Sequence, residues 1–231
     1  IEDKGYDVFY QAANTLAYSD VDLRELAAEV NQTKARAISI VDTFGAMYHK
    51  DLDRIMHVLD EELRDDIAIG FHSHNNQQLS FALSIHFVEQ MLASSDRTII
   101  VDASLCGMGR GAGNATTELI ANYLNRNQLG HYDMDMIMDA IDTYMNPFQE
   151  KYTWGYSTPY FIAGMYCCHV NNIAYLIKNH RTSAKDMRNI IESLKPDDRR
   201  KYDYDLLEQK YIENQSRQVD DRQALEQLRK A

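Results

Sequence analysis

Two hydrophobic patterns alternate along the first half of the chain. Short apolar runs rich in β-branched residues begin near Tyr6, Ala37, Ile67 and Thr98, and each ends in a polar or glycine-rich turn. Between them, apolar residues recur at helical spacing: Leu23, Leu26, Ala27 and Val30 within 20–30; Leu52, Ile55, Met56, Leu59 and Leu63 within 51–63; Leu79, Leu83, Phe87, Val88 and Met91 within 79–92. These patterns predict strands followed by helices, the first helix opened by Ser19 as its N-cap. The strand starts repeat every 30 residues or so, the length of one βα unit. Consecutive units of this kind build a parallel α/β sheet, either doubly wound or closed as a (β/α)8 TIM barrel. Four units are visible, which is half a barrel.

After Asn114 the strand signal ends. The stretches 117–125, 133–145, 161–179 and 184–194 all have helical periodicity, with Asn146-Pro147 and Lys195-Pro196 as expected stops. The chain is therefore expected to divide into a half-barrel over 1–130, an α-helical domain over 131–214, and a final segment over 215–231. That last segment is highly charged and poor in large apolar residues, which favours a linker over a solvated terminal helix.

Composition narrows the function classes. With 231 residues and 45% hydrophobic content, the chain has enough apolar surface for a sizeable core. Its 24 Lys and Arg against 35 Asp and Glu give a net charge of -11 with no basic patch, which excludes a nucleic-acid or anionic-membrane surface. Cys106, Cys167 and Cys168 form no spaced disulfide framework, and there is no signal peptide or apolar run of membrane-spanning length, so a cytoplasmic protein is expected. Cys167 and Cys168 are read as small buried thiols on an apolar helix.

The candidate chemistry lies where strands end. In Gly70-Phe-His-Ser-His-Asn-Asn76 the apolar run Ile67-Ala-Ile leads into His72 and His74, which share one strand face about 6.6 Å apart. Two imidazoles with carboxamides just beyond suit a divalent metal. After the fourth strand, Gly107-Met-Gly-Arg-Gly-Ala-Gly-Asn114 carries glycine at every second position before a helix expected to open at about Asn114. Such a loop permits close backbone approach of an anion at a helix N-terminus, or is simply a tight βα turn. It does not fit a dinucleotide fingerprint, since no acidic residue ends a following strand at the required offset. Gln11 and Asn14, after the first strand, are candidates for substrate hydrogen bonds, the alternative being bonds within their loop. His49, His57, His86, His131, His169 and His180 have no strand-end pairing and are read as surface or core residues.

The segments Ile40-Val-Asp-Thr-Phe-Gly-Ala-Met47, His72-Ser-His-Asn-Asn76 and Val101-Asp-Ala-Ser-Leu-Cys-Gly-Met-Gly-Arg-Gly-Ala-Gly-Asn114 occur in this order. Together they resemble the metal-dependent TIM-barrel aldolases of the 4-hydroxy-2-oxovalerate aldolase type, within a wider group that includes isopropylmalate synthase and hydroxymethylglutaryl-CoA lyase. The likeness covers roughly 5–180 and is strongest over 40–115. It implies strands five to eight of the barrel followed by the family's helical domain, and a carbon–carbon lyase acting on a 2-oxo acid such as pyruvate. His72 and His74 would be ligands to a divalent metal, Mn or Mg, which polarises the carbonyl and steadies an enolate. The loop bearing Gly107, Gly109 and Asn114 would lie at the substrate mouth. Tyr166, in Ala163-Gly-Met-Tyr166, would be the proton-transfer residue. Family members of this type often pair with an acylating aldehyde dehydrogenase through their C-terminal helices.

The family's first-strand Thr-Leu-Arg-Asp motif, with its metal-binding Asp and substrate-binding Arg, is not found in this sequence. Asp42 and Asp102 stand at strand ends but hold ordinary family positions, where supporting or packing roles are expected. The chain is accordingly expected either to be cut from a longer protein whose first four strands close the barrel, or to cover its open half by self-association. Two rivals are a Claisen-type acyltransferase, like isopropylmalate synthase, and a non-catalytic half-barrel. Against the first, such synthases carry a Glu-Arg pair before Ala-Gly-Asn, whereas Arg110-Gly111 stands here.

Overall fold

The structure, a computed structural model, describes the backbone of residues 4–230, with the side chains through Asp220 and that of Gln223. Contacts divide the chain into a first unit that ends at Tyr156 and a second that starts at Ser157.

The first unit is built on four parallel strands, β1 (Phe9–Ala12), β2 (Ala37–Asp42), β3 (Ala68–Ser73) and β4 (Ile99–Asp102), in the order β1-β2-β3-β4. Helices α1 (Asp20–Asn31), α2 (His49–Glu62) and α3 (Ser80–Ser94) connect them, as the periodicity predicts. Ser19 caps α1 as expected: its Oγ accepts from the Asp22 N–H, and the Asp22 carboxylate accepts from the Ser19 N–H, which satisfies two donors of the first turn.

One sheet face and the three helices form the core. Ile38, Ile40, Ile69 and Phe71 pack against Leu52, Ile55, Leu59, Leu83 and Phe87, all fully buried. Each such side chain contributes about 1.5–3 kcal/mol. At the strands' N-terminal end, the nearly buried Arg97 bonds to Asp60 and to the carbonyls of Leu63 and Ile67, tying the end of α2 to the entries of β3 and β4.

The opposite face is concave and sparsely filled. Register places Gln11, Ser39, Gly70 and Ile100 in one layer, and Val41, His72 and Asp102 in the layer nearer the strands' C-terminal ends. A Cβ on Gly70 would lie 2.4 Å from Ser39 Oγ, so a side chain there would displace the Ser39 hydroxyl. A bridge between the edge strands reads out the curvature: Gln11 Nε2 donates to Asp102 Oδ2 at 3.1 Å. In a flat sheet three strand intervals separate β1 from β4 by roughly 14 Å, beyond the reach of these side chains. Gln11 therefore stands on β1 itself, not in the loop after it.

After β4, helix α4 (Thr117–Arg126) opens at Thr117 rather than at Asn114. Helix α5 (Met134–Ala140) runs through a π turn, Ile141–Met145, into α6 (Asn146–Gln149). The expected stop at Asn146-Pro147 is absent because Pro147 falls in the first turn of α6, where no backbone donor is required of it. These helices group with the sheet, so the expected boundary at 130/131 falls inside the first unit.

In the second unit the single helix expected over 161–179 is two, α7 (Thr158–Met165) and α8 (Val170–His180). Cys167 has φ +49 between them, and His169 Nδ1 accepts from the Asn171 N–H to start α8. Cys167 and Cys168 thus occupy a turn, not a helix, although Cys168 is fully buried. Helices α9 (Ala184–Ser193), α10 (Pro196–Arg200) and α11 (Tyr204–Lys230) follow. The core combines Ile162, Ile173, Leu176, Met187, Ile190 and Leu207. The stretch expected as a linker from 215 is helical through Lys230, since its Gln, Glu, Arg, Ala and Leu all favour helix despite their charge. Ala231 lies outside the described residues.

Candidate metal and substrate site

His72 ends the buried run of β3, and His74 follows two residues on; their ring centroids are 5.1 Å apart. Each ring is held by its Nδ1. His74 Nδ1 lies 2.9 Å from the Asp42 carbonyl oxygen, which can only accept, so Nδ1 carries the proton and Nε2 keeps its lone pair. Burial pushes the His74 pKa below the ordinary histidine value, which keeps the ring neutral. His72 Nδ1 lies 3.2 Å from Asp102 Oδ2, and the same carboxylate oxygen accepts from Gln11, whose amide also donates to Ser39 Oγ at 3.1 Å. Ser39, Gln11, Asp102 and His72 form one hydrogen-bonded chain with a contribution from every strand. The result is two neighbouring imidazoles with anchored Nδ1 and available Nε2, the arrangement typical of metal-ligating histidines.

Asp42 is spent elsewhere. Its buried carboxylate accepts from the backbone N–H groups of Ala46 and Met47 at 2.8 and 3.2 Å, and burial pushes its pKa up to about 6. The side chain shapes the β2–α2 loop while its carbonyl steadies His74. The carboxamides after the histidines are structural as well: Asn75 Oδ1 accepts from the hydroxyl and N–H of Ser80 at the start of α3, and Asn76 is buried.

The glycine loop folds onto β3 beyond the histidines. Asn75 N–H donates to the Gly113 carbonyl and Ala115 N–H to the Ser73 carbonyl, at 2.9 and 3.1 Å. His74 and Asn114 are thereby opposed as a non-hydrogen-bonded antiparallel pair, the closer of the two pair types, with side chains on one side. Asn114 Nδ2 donates to the Met108 carbonyl at 2.8 Å. Its Oδ1 is the single buried side-chain N or O among the described residues without a hydrogen-bond partner. A buried amide oxygen lacking a donor beside a neutral histidine fits a cation as its missing partner.

The loop's glycines serve its own packing. At Gly109 a Cβ would fall 2.6 Å from Asn114 Nδ2, and at Gly113, where φ is +79, 2.2 Å from the Gly107 carbonyl oxygen. Trp154 Nε1 donates to the Cys106 carbonyl at 2.9 Å, which adds an outer brace. Among the described residues no group of three or more His, Cys, Asp or Glu side chains is placed to hold a metal. The candidate donors in this unit are two imidazoles and an amide oxygen.

Gln11, Val41, His72, Val101, Asp102 and Ala103 border an open concavity of about 600 Å³. Asn14 is not among these lining residues; it follows β1 in left-handed backbone geometry, with its N–H donating to Thr43 Oγ1 at 2.7 Å. A second hollow of about 340 Å³, between β4, α3 and α4, is walled by residues such as Val88, Leu92, Ile120 and Leu124 and offers no comparable chemistry. Tyr166 belongs to the second unit, at the end of α7. Its hydroxyl accepts from Arg188 Nε at 3.1 Å, and the Arg199 guanidinium lies 5.0 Å from its ring centroid. The sequence did not reveal the pairing of Asn114 with His74 or the reach of Gln11 to Asp102, since both join residues 40 or more positions apart.

A model of the HMGL-like family matches residues 1–144. A 4-hydroxy-2-oxovalerate aldolase from Thermomicrobium roseum is 33% identical over 157 residues, covering 64% of this chain and 42% of that protein. An oxaloacetate decarboxylase from Mycobacterium tuberculosis is 32% identical over 142 residues, covering 60% and 39%. The crystal structure of the N-terminal domain of a putative aldolase from Bacteroides vulgatus superposes with a TM-score of 0.68 at 27% identity, covering 84% of this chain and 60% of that one. The chain spans less than half the length of these two curated relatives. No helix among the described residues is long and apolar enough to cross a membrane.

Proposed function

The chain belongs to the HMGL-like family, and from that premise we propose that it carries metal- and substrate-binding elements of a carbon–carbon lyase acting on a small 2-oxo acid in the cytoplasm. The observation that carries this reading is the pair His72 and His74, each with Nδ1 anchored and Nε2 free, with Asn114, whose Oδ1 is unpartnered, opposite His74. These three residues would hold a divalent cation, Mn or Mg, with further donors from water, substrate or another segment. A cation there would supply Lewis-acid stabilisation of the enolate charge that reaches the 2-oxo oxygen when the bond between C3 and C4 breaks and its electron pair stays on C3.

The remaining roles belong to this chain's own residues. Asp102 and Gln11 orient His72, and the Asp42 carbonyl orients His74. Gly107 and Gly109 keep the loop close to Asn114, and Asn14, after β1, is a candidate for substrate hydrogen bonds. Tyr166 is the proposed proton-transfer residue: Arg188 donates to its oxygen, which leaves its own O–H to be given to another acceptor. Closure of the sheet by four further strands, self-association, and pairing with an acylating aldehyde dehydrogenase through the C-terminal helices belong to the same proposal.

Proton exchange at the methyl group of pyruvate in D2O, followed by NMR with Mn or Mg present, tests it. Exchange that is abolished by His72→Ala supports the reading; unchanged exchange in that variant overturns it.

A further inference from the structure

The four segments that follow the strands, 13–19, 43–48, 74–79 and 103–116, contain a single Lys or Arg, Arg110. Its side chain is exposed, and no ion pair to it occurs among the described residues. The other strand-end charges are Asp42 and Asp102, both carboxylates, in a chain of net charge -11. Such a field opposes a dianionic ligand unless a cation is placed to receive it.

Arg110 projects from a fixed base. The Gly113 N–H donates to its carbonyl at 3.2 Å and closes a tight turn in which Gly111 has φ +64. On one side, the Met108 carbonyl is held by Asn114 Nδ2; on the other, the Gly111 carbonyl is held by the Gly155 N–H at 3.0 Å. The Gly113 end of the turn is bonded to Asn75, next to His74. One turn, under about 7 Å between its end Cα atoms, thus separates Arg110 from the residue before Asn114. The loop that pairs Asn114 with His74 thus carries this cation one turn earlier in the chain.

We propose that Arg110 is a specificity residue that receives a second carboxylate at the far end of the substrate, so that the site selects dicarboxylic 2-oxo acids. Guanidinium matches carboxylate in a bidentate geometry that a lysine ammonium does not reproduce. The inference rests on the reading of the site as one for 2-oxo acids.

Calorimetric titration of the chain with 2-oxoglutarate and with 2-oxohexanoate, in the presence of Mn, tests it in the native protein, Arg110→Gln, Arg110→Lys and His72→Ala. The native chain should bind 2-oxoglutarate about tenfold more tightly than 2-oxohexanoate, the range of one charge-assisted hydrogen-bonded contact. In Arg110→Gln the ratio of the two affinities should fall towards one, and in Arg110→Lys it should lie between. Equal binding of both acids by the native chain, or a ratio that survives in Arg110→Gln, overturns the role of Arg110 while leaving the 2-oxo-acid site standing. Absence of binding by either acid, or binding indifferent to His72→Ala, overturns the site reading and this proposal with it.

Discussion

His72 and Asp102 occupy the same height on adjacent strands, β3 and β4, and their side chains meet at 3.2 Å between Nδ1 and Oδ2. The carboxylate therefore sets the direction in which the opposite nitrogen points. Removing such an outer partner from a metal-ligating histidine typically weakens binding about 10- to 100-fold. Asp102→Ala should lower Mn affinity by that factor, as measured by calorimetry, with the melting temperature little changed because the carboxylate is partly exposed.

Asn114→Ala separates the two ends of one amide. The Nδ2 bond to the Met108 carbonyl is lost, which costs about 1 kcal/mol, but no native hydrogen bond of Oδ1 is lost. Thermal unfolding should show this small decrease while Mn titration shows a large one. Mn affinity equal to that of the native chain would remove Asn114 from the donor set.

Gly113→Ala places a methyl group 2.2 Å from the Gly107 carbonyl oxygen at a backbone angle that side chains rarely adopt. The loop must move, and with it the bonds that set Asn114 opposite His74. A loss of roughly 2–4 kcal/mol in urea unfolding is expected. Gly5→Ala is the control for the backbone angle alone, since φ is +79 there as well but a Cβ meets nothing within 4 Å; the excess loss in Gly113→Ala reads the clash.

Cys168 gives a prediction for alkaline pH. Burial pushes its thiol from about 9 up to about 11, so the folded state holds this proton more tightly than the unfolded state does. Its contribution is fully present below pH 9 and is lost as pH rises through 11, amounting to roughly 3 kcal/mol. Cys168→Ala should flatten the fall in stability between those values. At pH 8 the Cys168 thiol should resist iodoacetamide until the second unit unfolds.

Sequence periodicity shows what a period can show. Leu52, Ile55, Met56, Leu59 and Leu63 mark the buried face of α2 because their spacing is the helix's own, and Ser19 with Asp22 forms a local cap. His72 and His74 are legible as neighbours for the same reason, since alternation along a strand is a local rule. The break after Met165 is not legible: Tyr166, Cys167 and Cys168 continue the apolar run, and the reversal is made by backbone angles and by His169 acting as a cap. Nor does a pattern along one strand reveal Gln11 as the partner of Asp102, because that contact depends on how far the sheet curls.

That curl has a thermodynamic consequence for the weakest part of the sheet. Strand β1 is four residues long, lies at an edge, and leaves Phe9 and Tyr10 about half exposed. The Gln11 amide reaches from it to the carboxylate that steers His72, so an ion gripped by the histidines also favours the conformers in which β1 is docked. Occupancy and edge fraying would then be reciprocal: each ion bound would suppress opening of β1, and each opening would release the ion more readily. Slower amide exchange at Gln11 and Ala12 on adding Mn, matched by looser Mn binding in Gln11→Ala, would be two readings of a single coupling energy.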